Sequence, residues 1–337
     1  MDKPTVTTSE VRDLLTHFEG QEITLDKVRS ELQIERGTKS FDAVRNIFLR
    51  LVEARVIRYI SRGNYKVIMP VSPVSVFGQD REHRPPFELI FPRDFETGME
   101  MDFANNVTIR EGDLITIGGV KSKGKTTLMM NFCGENVDKL PILMGNEYTI
   151  IGEDGWEPQP RWFNRMEIMG QWIDWTDENG QDKFTLMPVH DDYAEHIVKH
   201  RLNLIDWINI NGERLYDIGK ILEGIKRAEG RGVTIVALQK GDGADNPRGG
   251  QFVRDFSDLE LLLDGFGSNE DDILLTIKGA KEKNAPIVGN RYSYTIRDNG
   301  TKIVNFRQVK QCNTCYGKGY TKTGKCDTCF GAKWTDK

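Results

Sequence analysis

The chain has 337 residues and a formal net charge of -5, and this acidic balance excludes a protein that binds nucleic acid through its overall charge, so any basic surface must be local. Hydrophobic residues make up 38% of the chain, yet no apolar run approaches the roughly 18 residues needed to cross a bilayer, and no membrane segment is predicted. Because the first six residues lack the basic-then-apolar order of a secretory signal, we expect a cytoplasmic protein whose five cysteines are thiols or metal ligands rather than disulfides.

The first predicted domain covers residues 1–70 and consists of three helices followed by a hairpin. Helices are expected at about 8–18, 24–33 and 39–54, and the hairpin turns at Arg62-Gly63-Asn64. In the third helix, apolar residues recur every three or four positions, which is the period of a helix that packs on a core. They are Phe41, Val44, Ile47, Phe48 and Leu51. Over its whole length, this segment resembles a winged-helix domain.

Charge is uneven within this domain. Residues 1–34 carry four Lys or Arg against seven Asp or Glu, a net charge of -3, whereas residues 35–66 carry eight against three, a net charge of +5. A basic third helix and hairpin suit duplex DNA, with Lys39 and Arg45 near the major groove and Arg62 at the backbone or the minor groove. The alternative is an ordinary solvated face, with a hairpin that docks on a protein.

A proline-rich segment separates this domain from the rest of the chain. Five prolines lie between residues 70 and 92, and no clear hydrophobic period accompanies them. We therefore interpret residues 71–100 as a linker that ends in a lead-in strand.

From residue 101 to 308, apolar strands alternate with helical stretches, which predicts an α/β domain with a mostly parallel sheet. Strands are expected at 114–119, 141–146, 202–207, 233–239, 259–264, 272–279, 291–296 and 302–307. The last two, joined by Asp298-Asn299-Gly300, are predicted to form a hairpin at the sheet edge. Residues 151–189 are rich in Trp, Asp, Glu and Gly, and we interpret them as an insertion.

The strongest motif lies between a strand and a helix. Residues 119–126 match the phosphate loop G-x-x-x-x-G-K-[ST], and this context disfavours a chance match. Glycines let consecutive N–H groups surround phosphates, and the helix N-terminus favours an anion. Lys125 is expected to reach the β- and γ-phosphates of ATP, and Thr126 to hold Mg²⁺. The predicted nucleotide-binding residues are Gly119, Val120, Lys121, Ser122, Lys123, Gly124, Lys125, Thr126 and Thr127.

Three later strands end in polar side chains that suit nucleotide hydrolysis. Asp206 lies at the end of the apolar strand 202–207, as expected of a carboxylate that meets Mg²⁺ at the carboxyl edge of a sheet. Glu147 follows the strand after the phosphate-loop helix and is the predicted general base. Gln239 ends the strand 233–239, which follows that of Asp206, and there its amide can contact the γ-phosphate and respond to its loss.

Two further stretches complete the pattern: Gly249-Gly250-Gln251-Phe252, and Lys281-Glu282-Lys283 after a strand. With the phosphate loop and the strand-end residues, they resemble the RecA/DnaB superfamily of ATPases, of the type carried by phages and mobile elements. The resemblance implies that Lys281 and Lys283 enter the nucleotide site of a neighbouring subunit and stabilise charge on the transferred phosphoryl group. It therefore implies a homo-oligomeric ring or filament. A solvated turn is the alternative for the lysine pair.

The resemblance also implies that the core contacts single-stranded DNA. The glycine-rich segment 240–250 falls where superfamily members have a mobile DNA-contacting loop, and Lys240 and Arg248 are its candidate phosphate contacts. Two departures matter: the chain lacks the amino-terminal helical collar of DnaB-type helicases, and this loop is short for a strand-exchange recombinase. Neither specific activity follows from the resemblance.

The tail, residues 309–337, holds four of the five cysteines in two C-x-x-C pairs separated by ten residues. Four thiolates at this spacing can enclose a tetrahedral Zn²⁺. The ligands are Cys312, Cys315, Cys326 and Cys329. The repeat resembles the cysteine-rich module of DnaJ-type chaperones, although Lys333 replaces the last glycine. A redox-active dithiol is the alternative, and the lysines of the tail suit nucleic acid or a protein partner.

Two functional hypotheses follow. The first is a DNA-dependent ATPase that works as a helicase-like motor in DNA replication or recombination. The second is a nucleotide-switched DNA-binding regulator or replication-origin factor that reads duplex DNA through the winged helix. A small-molecule kinase is a weaker third reading, because no lid segment is evident and Glu147 ends a strand.

Overall fold

The computed structural model describes residues 6–73, 84–145, 147–208, 217–331 and 333–337. These described residues fall into two compact units, which are divided between residues 83 and 84. Within the described residues, no helix combines the length and the apolar character that crossing a membrane requires.

The first unit contains three helices and a small antiparallel sheet. Its elements are α1 (Thr8–Thr16), β1 (Glu22–Thr24), α2 (Leu25–Glu31), α3 (Lys39–Glu53), β2 (Ile57–Ser61) and β3 (Asn64–Val67), with strand order β1-β3-β2. Threonine side chains accept backbone hydrogen bonds at the three helix starts, which explains why the helices begin there. The three helices and the hairpin agree with the sequence prediction. Strand β1 was not predicted, because three residues show no period.

The second unit is built on one ten-stranded sheet. Its helices are α4 (Lys125–Glu135), α5 (Pro160–Met169), α6 (Tyr193–His196), α7 (Ile218–Ala228) and α8 (Gln251–Phe256). The sheet strands are β4 (Leu114–Gly119), β5 (Ile142–Met144), β8 (Thr185–Met187), β9 (Leu202–Ile208), β10 (Val233–Gln239), β11 (Leu259–Gly265), β12 (Asp272–Ala280), β13 (Arg291–Arg297), β14 (Lys302–Gln311) and β17 (Trp334–Asp336). Two small hairpins pair β6 (Thr149–Ile151) with β7 (Trp156–Pro158), and β15 (Tyr320–Thr321) with β16 (Gly324–Lys325).

The strand order in the large sheet is β17-β14-β13-β12-β11-β4-β10-β9-β5-β8. The six strands from β11 to β8 are parallel, and the four from β12 to β17 extend the sheet in antiparallel fashion. All six residues of β4 are buried, as expected of a parallel strand covered on both faces. The predicted α/β class with a mostly parallel sheet is confirmed.

The two edges of the sheet differ from the prediction. The hairpin β13–β14 does form, but β17 pairs with β14 and occupies the edge instead. At the opposite edge, β8 pairs with β5. The segment 151–189 therefore contributes a sheet strand as well as α5, and it is only partly an insertion.

The proline-rich segment also differs from the prediction. Phe91 is buried and its ring contacts Phe103 and Phe132 in the core of the second unit. Within 84–100, the strand-type pairing is an isolated bridge between Arg93 and Glu100. Residues 84–100 therefore belong to the core without a lead-in strand, and only 71–83 can serve as a linker, of which 74–83 lie outside the described residues.

Candidate functional site

The phosphate loop leaves the carboxyl end of β4, which lies between β10 and β11 in the sheet. Gly124 has a φ of +79° and ends the loop directly before α4. This left-handed conformation favours glycine, and a Cβ would also lie 2.5 Å from Ile296 Cδ1. The first turn of α4 thus points unpaired N–H groups at the space where an anion binds.

Lys125 lies folded back over this loop. Its Nζ donates hydrogen bonds to the carbonyl oxygens of Gly119 (2.9 Å) and Val120 (3.0 Å), and the residue is buried. Burial lowers the pKa of the Lys125 ammonium, while the nearby carboxylates of Asp206 and Glu147 oppose that shift. The cation is therefore held at the loop by carbonyl oxygens that a phosphate can replace.

Asp206 lies near the carboxyl end of β9 and is completely buried. The Tyr148 hydroxyl donates to Asp206 Oδ2 at 2.9 Å, whereas Oδ1 is buried without a hydrogen-bond partner among the described residues. Burial raises the pKa of Asp206 to about 6, against the opposing effects of the Thr126 hydroxyl and Tyr148. A buried carboxylate oxygen that lacks a partner, beside a threonine hydroxyl, is a suitable donor set for Mg²⁺, which prefers oxygen ligands.

Glu147 is exposed at the same edge of the sheet. Its Oε1 accepts a hydrogen bond from the Trp207 indole at 3.3 Å, and its charge acts on both Lys125 and Asp206. The preceding Gly145 makes this closeness possible, because a Cβ there would lie 1.6 Å from the Asp206 carbonyl oxygen. The ends of β5 and β9 therefore meet, and Glu147 and Asp206 approach the loop from two different strands.

Gln239 also lies at this edge, where its backbone is in register with Gly119 of β4. The side chain is half-buried. The structure thus brings the phosphate loop, Glu147, Asp206 and Gln239 to one edge of the parallel sheet, where ligands of such sheets bind.

Lys281 and Lys283 lie at the opposite end of the sheet. Ala280 is in register with Leu259, at the start of β11, far along the strands from the loop. Lys281 Nζ is 2.8 Å from Asp258 Oδ1, and Lys283 Nζ donates to the Ala280 carbonyl oxygen at 3.1 Å. Neither lysine contacts the phosphate loop of its own chain.

The candidate DNA contacts divide into exposed and buried residues. Lys240 is buried and its ammonium is paired with Asp264 at 2.5 Å, so it is not retained as a DNA contact. Arg248 is exposed in the same loop. In the first unit, Lys39, Arg45 and Arg62 are all exposed, and none of the three forms an ion pair with a described residue.

Two residues near the loop were not found from the sequence. Tyr148 orients Asp206 but belongs to no motif. Arg165 lies on α5, and its buried Nε has no hydrogen-bond partner among the residues described. A Cβ on Gly300 would lie 3.4 Å from both the Arg165 guanidinium and the Thr127 hydroxyl. A half-buried cation therefore lies beside the first turn of α4, within the segment interpreted as an insertion.

The four cysteines of the tail form a second candidate site. The Sγ atoms of Cys312, Cys315, Cys326 and Cys329 all lie within 4.8 Å of one another. Two of the separations are 3.8 Å (Cys312 to Cys326) and 3.5 Å (Cys315 to Cys329), and no disulfide joins them. Sulfur atoms about 2.3 Å from a tetrahedral zinc are about 3.8 Å apart, so this cluster fits Zn²⁺.

The pKa values of these thiols differ within the cluster, since burial and the neighbouring thiols raise that of Cys329 to about 11. Backbone N–H groups of the knuckles lower the pKa of Cys312 to about 6 and also lower that of Cys326. Lowered values favour the thiolate form, which is the form that binds metal. Cys133, in α4, lies apart from this cluster, and its pKa is raised by burial, as expected of an ordinary core thiol.

The fold and the site define an α/β protein with a phosphate loop at the carboxyl edge of its parallel strands. No family model matches the chain, and no curated protein matches it. Among solved structures, the chain is similar to the RadB recombinase, at 14% sequence identity and a TM-score of 0.42, over 58% of this chain and 92% of that one. The functional argument therefore rests on the site itself.

Proposed function

We propose that the protein is an ATP-hydrolysing, DNA-dependent motor of RecA/DnaB type, helicase-like, that acts in DNA replication or recombination. The observation that carries this proposal is the meeting of Lys125, Asp206 and Glu147 at the phosphate loop, from three separate elements. A nucleotide-binding protein needs only the loop. Hydrolysis requires in addition two carboxylates at strand ends, one beside the metal and one beside the attacking water.

In this proposal, Lys125 leaves the carbonyl oxygens of Gly119 and Val120 when ATP binds, and its ammonium contacts the β- and γ-phosphates. Thr126 and Asp206 Oδ1, which has no hydrogen-bond partner among the described residues, would hold Mg²⁺, and the bound ion would neutralise charge on the phosphate oxygens. Tyr148 keeps Asp206 oriented through its hydrogen bond to Oδ2.

Glu147 accepts a proton from the attacking water. Its exposed carboxylate accepts a hydrogen bond from the Trp207 indole at 3.3 Å. Gln239 contacts the same phosphate and transmits its loss to the exposed loop that carries Arg248. Single-stranded DNA is the proposed ligand of that loop.

Lys281 and Lys283 are proposed to act on a neighbouring subunit. They lie at the far end of their own sheet, so only a second copy of the chain can present its phosphates to them. This arrangement makes hydrolysis depend on a ring or filament.

The proposal is tested by steady-state ATPase assays with and without single-stranded DNA. We expect stimulation by the DNA, and a loss of at least about a hundredfold in Lys125→Ala and in Glu147→Gln, since each removes a group of the chemical step. Lys199→Ala changes an exposed lysine outside the site and serves as the matched control. Activity that is indifferent to DNA and to protein concentration would refute the motor.

A nucleotide-switched regulator or replication-origin factor is the second candidate function. The observation that favours it is the set of exposed cations Lys39, Arg45 and Arg62, which form no ion pair with a described residue. They lie in the first unit, whose helix–helix–helix–hairpin order resembles a winged helix. A mobility-shift assay discriminates the two functions. Sequence-selective duplex binding that survives Glu147→Gln, and is lost when Lys39 and Arg45 are changed to Gln, supports the regulator.

A further inference from the structure

The cysteine module exposes three aromatic rings. Tyr316, Tyr320 and Phe330 are 77%, 64% and 75% exposed, whereas the buried cluster of the module consists of the four cysteines. None of these rings contacts another ring or a cation of a described residue. Exposing a large apolar ring to water costs the free energy that burying its surface would gain. Exposed rings of this kind therefore mark surfaces that bind partners.

Two of these rings occupy equivalent positions in the two knuckles. Tyr316 and Phe330 each follow the second cysteine of a C-x-x-C pair, with φ values of +50° and +48°. The Gln311 amide donates to the Tyr316 carbonyl oxygen at 2.9 Å, and the hydroxyls of Thr314 and Thr328 lie 2.7 Å apart between the knuckles. These hydrogen bonds hold together the backbone segments that carry the two rings.

The tail that carries these rings has an excess of positive charge. Residues 309–337 contain six lysines and two aspartates, a net charge of +4, and all six lysines are exposed. None of them forms an ion pair within the described part of the chain, whereas Asp336 is neutralised by Arg307 at 2.7 Å. Lys325 lies opposite Tyr320 in the β15–β16 hairpin, and its side chain also lies beside Gly331, next to Phe330.

We propose that the cysteine module binds single-stranded DNA, with Tyr316 and Phe330 stacking on bases and the lysines contacting phosphates. Flat rings and unpaired cations on one frame are the combination that recognises unpaired strands. A duplex hides its base faces from such rings. An apolar peptide would use the rings but leave six lysines unpaired, and an acidic peptide would use the lysines alone. The choice of DNA over RNA rests on the function proposed above.

The stacking part is tested on the full chain, without nucleotide, by fluorescence anisotropy with a labelled oligothymidylate. Tyr316→Leu with Phe330→Leu keeps apolar side chains but removes the flat rings, and we expect binding at least about tenfold weaker. The exchange Tyr316→Phe with Phe330→Tyr keeps both rings and is expected to bind like the unchanged chain. Equal zinc content in all three proteins shows that the module is folded. Undiminished binding by the leucine pair would overturn the proposal.

The electrostatic part is tested through the salt dependence of the same binding. Each phosphate contact on a single strand contributes about 0.7 to the slope of log affinity against log salt concentration. Lys325→Gln with Lys333→Gln is expected to lower that slope by about 1.4. Lys199→Gln with Lys220→Gln makes the same charge change on exposed residues elsewhere and should leave the slope unchanged. An equal effect of the two pairs would refute specific phosphate contacts in the module.

Two further experiments distinguish DNA binding at this module from binding elsewhere and from binding of other ligands. An oligothymidylate carrying a photoreactive base should cross-link to the peptide around Tyr316 or Phe330, even in Lys125→Ala, so failure of the ATPase would not affect this result. Cross-links confined to other regions would overturn the proposal. An at least tenfold preference for oligouridylate would overturn the assignment to DNA. If neither protein bound an oligonucleotide, and both the leucine pair and the unchanged chain bound a peptide equally, the surface would be assigned to polypeptide.

Discussion

At the scale of single residues, the environment of Asp206 is unlike that of an ordinary surface carboxylate. It is fully buried, and one of its oxygens is satisfied by Tyr148 while the other has no described partner. A bound cation strongly stabilises the charged form of a carboxylate in this state, and without a cation burial of that charge is unfavourable. Its protonation should therefore be linked to metal binding.

We expect the affinity for Mg²⁺-nucleotide to fall by up to about tenfold per pH unit below pH 6. The sign follows from the pKa of Asp206, which burial raises to about 6: above it the carboxylate is available to the cation, and below it a proton must be displaced. Titrations between pH 5 and 8 would measure this dependence. Because the nucleotide itself titrates in this range, Asp206→Asn is the control, and only the difference between the two proteins reports Asp206. A difference that does not vary with pH would contradict the expectation.

Arg165 provides a second prediction at this scale. A guanidinium beside Thr127, with a buried Nε that has no hydrogen-bond partner in the described part of the chain, is placed to contact a bound nucleotide phosphate. We expect Arg165→Gln to weaken ATP binding by roughly tenfold or more, since a charge-assisted hydrogen bond contributes about 1.5–3 kcal/mol. Equilibrium binding of ATP and of adenosine would test this, because only the ligand with phosphates should lose affinity.

The matched control is Arg161→Gln, an exposed arginine on the same helix. Equal affinities in the two variants would remove Arg165 from the site. No motif could have indicated this residue, because its proximity to Thr127 arises from how α5 packs near the turn at Gly300 and not from any spacing along the chain.

At the scale of elements, sequence patterns predicted the long central strands well and the short edge strands poorly. The runs 114–119 and 233–239 are nearly continuous apolar stretches because both faces of those strands are covered. In contrast, β8 and β17 have three residues each, too few to show a period. Their pairing is determined by neighbouring strands that are far away in the sequence.

The polar residues follow the same rule. Asp206 and Glu147 were predictable because the ends of parallel strands meet at one edge, whatever the details of packing. Lys240 was not, because its burial depends on Asp264 in another strand. Local sequence indicates a residue's place along a strand, whereas the partner of its charge is a property of the tertiary fold.

The cysteine module provides a prediction at the scale of elements. Its buried cluster consists of four cysteines, so its folding free energy must come largely from the metal. We expect chelation, or Cys326→Ser, to abolish protection from hydrogen exchange over 312–331 while nucleotide binding is retained. Cys133→Ser is the control and should keep its zinc. Unchanged exchange in the metal-free protein would contradict a structural zinc site.

At the scale of the whole molecule, the decisive question is whether one catalytic site combines residues of two chains. Lys125→Ala and Lys281→Ala should each be inactive in ATP hydrolysis. When they are mixed, we expect activity to return in part, because an interface between the two variants can join the intact loop of one subunit to the intact lysine of the other.

A mixture of Lys125→Ala with Glu147→Gln provides the control for that experiment. Both lesions lie on the same side of the interface, since Lys125 and Glu147 act on each other within one chain, so no combination of subunits restores a complete site. Recovery in both mixtures, or in neither, would refute a site shared in this way.

The pairing of β17 with β14 has one more consequence. The chain leaves the sheet at Gln311, forms the knuckles, and returns at Trp334 directly beside the strand that it left, so that Gln311 and Trp334 are register partners. Arg291 of β13 also lies over the Trp334 ring, 4.5 Å from its centroid. The outermost strands thus anchor the knuckles at both ends, so that a force on the knuckles acts directly on the edge of the sheet. Removing residues 334–336 would detach one end of the knuckles from the sheet. It would also expose β14 as an edge strand that can pair with another chain.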